Sequence, residues 1–172
     1  MADLARNIRG IAVEDRASSL TPTMQRFSYL LNRMDRLLTA ERTLESDTGP
    51  LDRPEFDALL REAEAERAGV QAEAEGVLGL SPEDHADAAL QRLALLLLMD
   101  LMAMDAADCR RLHGLAADDP ALFHIAGDGA WKRQAPTMQV AFFKLFDGLG
   151  ALAEFGGEGW AGDEAEAVPI PA

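Results

Sequence analysis

Between Leu90 and Met104 the chain is apolar at every position except Gln91, Arg92 and Asp100. Nothing else in it constrains the fold as strongly. A run of this length without two-residue alternation reads as a helix that is apolar on nearly every side, and such a helix belongs at the centre of a bundle with the others around it. Asp100, then Asp105 and Asp108, interrupt it well short of the roughly 20 residues that cross a bilayer, so it predicts no membrane insertion. Ser81-Pro82-Glu83-Asp84 precedes it with a capping hydroxyl, a first-turn proline and two acids where the helix dipole favours them. This helix is therefore expected to open at Ser81, run to about Leu112 and stop near Gly114.

Three further helices accompany it. Thr21-Pro22 opens the first, with Met24, Phe27, Leu31, Met34 and Leu38 at spacings of three and four, flanked by Leu30, Leu37 and Leu44, until Thr48-Gly49-Pro50 ends it. The second opens at about Asp52-Arg53-Pro54-Glu55 and has a thin stripe of Phe56, Leu59, Leu60, Ala63, Val70, Val77 and Leu78. The last opens near Ala135-Pro136-Thr137, and Met138, Phe142, Leu145, Phe146, Leu149, Leu152 and Phe155 mark its buried face. A short helical turn is expected around Leu122-Phe123. With no strand-like alternation anywhere, the fold class is all-α: an up-and-down bundle of four main helices over 21–155, a loose N-terminal segment over 1–20, and a disordered acidic tail over 156–172. Pro-Thr-Met-Gln occurs at both Pro22–Gln25 and Pro136–Gln139, which reads as two helix starts with the same capping chemistry.

Composition narrows the function. The 172 residues are one domain's worth, and 48% hydrophobic content is enough to fill a core. Thirty Asp and Glu against sixteen Lys and Arg give a net charge of −14, which argues against nucleic acid, because phosphate recognition needs clustered cations. The first 50 residues are neutral, with seven Arg against seven acids, so the whole excess lies beyond them. On the second helix Glu62, Glu66 and Glu73 belong either to a solvated bundle face or to a docking surface for a basic partner. A single cysteine, Cys109, suits a reducing compartment, and the first residues lack the basic head and apolar stretch of a secretory leader; a cytoplasmic protein is expected.

Catalytic equipment is not evident. The positions three before His85, His113 and His124 are Pro82, Arg110 and Ala121, so the Glu-x-x-His pair of a helical di-iron site is missing. There is no Gly-x-Ser-x-Gly elbow and no glycine loop leading into a lysine-bearing helix start. Asp105, Cys109 and His113 fall in line at i, i+4 and i+8, but that line spans about 12 Å, so at most two of them share a metal. Cys109 and His113 read first as a buried thiol beside a helix-terminal histidine and second as a metal pair. No cofactor is expected.

Pro82-Glu83-Asp84-His85, followed by Leu90, Leu93-Ala94 and Leu96-Leu97, resembles the Pro-x-Asp-His signature and the subsequent leucine pattern of the TorD/DmsD/NarJ-type chaperones of molybdoenzyme maturation. The resemblance implies an all-helical cytoplasmic protein that binds twin-arginine signal peptides or apoenzyme, with Pro82, Asp84 and His85 at a peptide-binding hinge. Ala86 and Ala89 stand where that family has Leu and Glu. In outline only, the hairpin of Leu30–Glu45 and Leu59–Val77 is also similar to flagellar-type export chaperones. The expectation is thus a non-enzymatic polypeptide-binding protein, with Met24, Met34, Met99, Met102, Met104 and Met138 able to repack around a partner. A metal- or ligand-binding bundle and a structural oligomer, such as a homodimer through the phenylalanine-rich last helix, are the alternatives.

Overall fold

The computed structural model describes residues 20–47, 49–50, 53–125 and 134–157. The expectations for residues 1–19 and 158–172, and for the glycine-rich stretch 126–133, lie outside them. Among the described residues the fold is all-α, with five helices and no strand.

Helix α1 is Pro22–Ser46, with Pro22 in its first turn and the Thr21 hydroxyl accepting from the Met24 N–H at 3.1 Å. Met24, Phe27, Leu30, Met34 and Leu37 are fully buried along one stripe. Helix α2, Pro54–Leu78, faces it with small side chains: Ala63, Val70, Ala74 and Val77 are its buried residues. Two interhelix ion pairs, Arg26–Glu73 at 3.0 Å and Arg33–Glu66 at 2.9 Å, advance along α1 while retreating along α2, so the pair is an antiparallel hairpin. Gly76 makes room for the first of them, because a Cβ there would lie 2.3 Å from the Arg26 Nε. At the hairpin's connection the Asp47 carboxylate accepts from the Gly49 N–H and pairs with Arg53, and both hold it below the usual carboxylate range.

Helix α3, His85–Leu101, starts later than its sequence suggests. Asp84, not Ser81, is the N-cap: its Oδ1 accepts from the Ala86 and Asp87 N–H groups at 2.8 and 2.9 Å. Asp87 then reaches back, its fully buried carboxylate accepting from the Glu83 N–H at 3.0 Å and from the Thr21 hydroxyl at 2.6 Å. One threonine therefore serves the starts of both α1 and α3. The central position expected for this helix holds in part: Leu90, Leu93, Ala94 and Leu97 are fully buried, whereas Leu95 and Met99 are open to solvent.

The expected run to Leu112 is broken. α3 ends at Leu101, where Met102 and Ala103 N–H groups close on the Leu98 and Asp100 carbonyls, and a separate helix α4, Ala106–Asp118, begins five residues later. Asp105 causes the break by capping α4 through the Asp108 N–H at 2.8 Å, a local bond that competes with continued helix. A 3-10 turn at Pro120–Phe123 follows, tied to α3 by the Arg92 Nε–Leu122 carbonyl bond (2.9 Å). Helix α5 is Gln134–Gly150. Leu152 and Phe155 are buried as expected, but past the helix end: Leu152 precedes a second 3-10 turn at Ala153–Phe155 and Phe155 closes it. Pro136 lies near the start of α5 as Pro22 does in α1, though two residues further in. Phe27, Phe142 and Phe146 join the α1 and α5 faces, with centroids 6.0 Å apart for Phe27–Phe142 and 5.5 Å for Phe142–Phe146.

Candidate functional site

Three sets of residues named from sequence occupy three separate places. Pro82 and His85 are exposed and Asp84 is engaged in the α3 cap, so the Pro-x-Asp-His segment acts here as a helix start held by Asp84 and Asp87. On α2, Glu66 and Glu73 are paired across the hairpin with Arg33 and Arg26, partly exposed, so their charges are already met within the chain. Sequence could not show this, because the partners lie on another helix. Glu62 remains exposed, beside a shallow surface groove of about 360 Å³ that Asp35, Arg36, Thr39 and Glu66 also line.

Cys109 and His113 are brought together with a residue that the pattern reading passed over. Asp100, the penultimate residue of α3, is fully buried, and neither of its carboxylate oxygens has a hydrogen-bond partner. His113 Nε2 faces it at 3.4 Å, an ion pair when the imidazole is protonated but beyond an ordinary hydrogen bond. The imidazole stacks on Phe146, centroid to centroid 3.9 Å, and rests against Gly150, where a Cβ would come within 2.6 Å of the ring. The Cys109 thiol points at the Asp100 main-chain oxygen, 4.0 Å away. The signal for Asp100 was present in sequence as the one acid inside the apolar run.

Cysteine, histidine and aspartate in one cluster suggest a nucleophile with its base. The electrostatics oppose that. Burial, and then the Asp100 charge, push the Cys109 thiol up to about 11, so it is the protonated, unreactive form at neutral pH. As the side chains stand, no three His, Cys, Asp or Glu among the described residues are grouped to hold a metal ion. Asp105, third in the sequence line with Cys109 and His113, caps α4 instead.

The outer face of the same junction is apolar. Leu95, Met99 and Met102, at i, i+4 and i+7, are 47%, 50% and 67% exposed, and Met104 just beyond is 92% exposed. Leu122, also exposed, has its carbonyl bonded by Arg92 of α3. The methionines therefore divide: Met24 and Met34 are fully buried core, while Met99, Met102 and Met104 face solvent. No helix among the described residues is long and apolar enough to cross a membrane. Comparison with protein-family models, curated proteins and solved structures finds no match to this chain.

Proposed function

We propose that this protein binds another polypeptide, holding an apolar, positively charged segment of it along Leu95, Met99 and Met102, in the manner of a maturation or export chaperone. The observation that carries this reading is the solvent-facing strip on a helix that is otherwise packed core. Adjacent exposed methionines and leucine are a costly arrangement to leave in water, and flexible thioethers adapt to varied partner side chains. The occupant is taken to be basic because the chain carries a net charge of −14, which repels a second copy and steers a cationic segment toward it. The resemblance of Pro82-Glu83-Asp84-His85 to the molybdoenzyme chaperones points the same way, toward a twin-arginine type of ligand, although those residues form a cap and not the strip.

The test uses a fluorescent amphipathic peptide of leucine and lysine, its leucine–glutamate counterpart, and a Leu95→Asp/Met99→Asp variant. Both positions are exposed, so the fold should survive the change. The lysine peptide is expected to bind, to bind more weakly at high salt, and to lose about tenfold or more in affinity with the variant. Equal binding of both peptides, equal binding by the variant, or a dimer in light scattering that the variant dissolves would each overturn the reading.

A further inference from the structure

We propose that Met99, Met102 and Met104 form an oxidation site at the α3–α4 elbow, where a peroxide turns thioethers into sulfoxides and switches the apolar strip to a polar surface that releases its polypeptide. The site itself stands on exposure and sulfur chemistry; the release rests on the polypeptide-binding reading. Seven methionines and one cysteine are the chain's sulfurs. Met24 and Met34 are fully buried in the core, Met138 is half-buried on α5, and Cys109 is 4% exposed. Met99, Met102 and Met104 are the exposed ones among the described residues, and all three fall within six consecutive residues. Leucine gives the same apolar surface with no reactive sulfur, as Leu95 does one turn before Met99.

An oxidant must reach a sulfur lone pair, so burial decides which sulfurs react. The usual rival is a thiol, because a thiolate reacts ahead of a thioether. Here that rival is withdrawn: Cys109 is buried, and its thiol, pushed up to about 11 by burial and then by the Asp100 charge, stays protonated. A thioether has no proton to lose, so an exposed one needs no activation by a neighbour. Its sulfur lone pair attacks one oxygen of hydrogen peroxide, and the O–O bond breaks as the S–O bond forms. The attacked oxygen's proton passes to the departing oxygen, which leaves as water. Sulfur loses two electrons and the peroxide gains them. The product is a polar, chiral sulfoxide where a flexible apolar side chain stood. At Met99 and Met102, three residues apart on one helical face with Leu95, this breaks the strip at two of its three positions. The end of α3 is spared, since the Met102 N–H, not its side chain, bonds the Leu98 carbonyl. A thiol-dependent sulfoxide reductase restores the thioether, two thiols becoming a disulfide and the sulfoxide oxygen leaving as water.

The experiment treats the full chain with hydrogen peroxide and maps each sulfur by peptide mass spectrometry. Met99, Met102 and Met104 should oxidise at least about tenfold faster than Met24 and Met34, with Cys109 unmodified over the same interval. The oxidised protein should keep its far-ultraviolet circular dichroism and lose about tenfold or more in affinity for the leucine–lysine peptide. Sulfoxide reductases of both stereospecificities, with dithiothreitol, should restore binding. Met99→Leu/Met102→Leu keeps the strip apolar and removes its sulfur, so it should bind the peptide as the parent does, before peroxide and after. Oxidation of Met24 or Met34 at the elbow's rate, or of Cys109 first, would overturn the site. Undiminished peptide binding by the oxidised parent, or an equal loss in the leucine variant, would overturn the switch. A parent that binds no peptide before oxidation overturns the polypeptide-binding reading and the release with it, while the sulfur map still decides the oxidation site.

Discussion

The α1–α2 hairpin and the α3–α4 elbow are built inside out relative to each other. In the hairpin, charges lie outside and meet across the helix pair, Arg26 with Glu73 and Arg33 with Glu66, over a stripe of Met24, Phe27, Leu30 and Met34. In the elbow, Leu95, Met99 and Met102 lie outside while Asp100 and His113 lie within. The first arrangement needs nothing beyond itself. The second leaves apolar surface in water and polar atoms out of it, and the exposed apolar surface is of the kind that a bound partner relieves.

The largest expected effect contrasts side chains from the two regions. Phe27→Ala, in the shared core, should lower unfolding stability in urea by about 3–5 kcal/mol, while Met99→Ala on the exposed strip should stay within about 0.5 kcal/mol. A comparable loss at Met99 would mean that the strip is internal packing and would remove the contrast.

Next in size is a comparison of two buried aspartates on one helix. Asp87→Ala deprives the Thr21 hydroxyl and the Glu83 N–H of their acceptor and should cost about 1–3 kcal/mol. Asp100→Asn should cost less, since only His113 Nε2, 3.4 Å from Oδ2, faces its carboxylate and makes no hydrogen bond of ordinary geometry with it. Equal losses at the two sites would show that the elbow's acid is satisfied after all.

The smallest effect concerns Glu41, buried on α1 and paired with Arg67, which also holds Glu154. Burial raises its pKa above the ordinary 4.5 despite the arginine. A raised carboxyl binds its proton more tightly in the folded than in the unfolded chain, so folding gains stability as pH falls from the raised value to below 4.5. Relative to Glu41→Gln, the parent should therefore gain stability over that window in parallel urea titrations. The opposite slope would mean that Arg67 outweighs burial.

What the sequence disclosed was local. Thr21-Pro22 and the three-and-four spacing of Met24, Phe27 and Met34 placed α1, because cap and stripe both arise within a few residues. The break after Leu101 was missed because Asp105 reads equally as one more polar interruption of an apolar helix or as the cap of the next. Asp84 stands as the cap in place of Ser81 through bonds to Ala86 and Asp87, whereas the added anchor from Asp87 to Thr21, 66 residues away, is a bond that no local pattern contains. Glu66 and Glu73 looked free for the same reason: pairing with Arg33 and Arg26 depends on the register between two helices. The candidate site was half legible, since Cys109 and His113 share a turn spacing, whereas Asp100 joins them only when the chain doubles back at the elbow.

The hydroxyl of Thr21 accepts from the α1 backbone and donates to Asp87 at the head of α3, so fraying at one helix end withdraws a bond from the other. The two ends should then open as one cooperative unit, and the slow-exchanging amides of the first turns of α1 and α3 should share a single opening free energy in native-state hydrogen exchange. Thr21→Val, which keeps the side chain's size and removes both bonds, should speed exchange at both ends together.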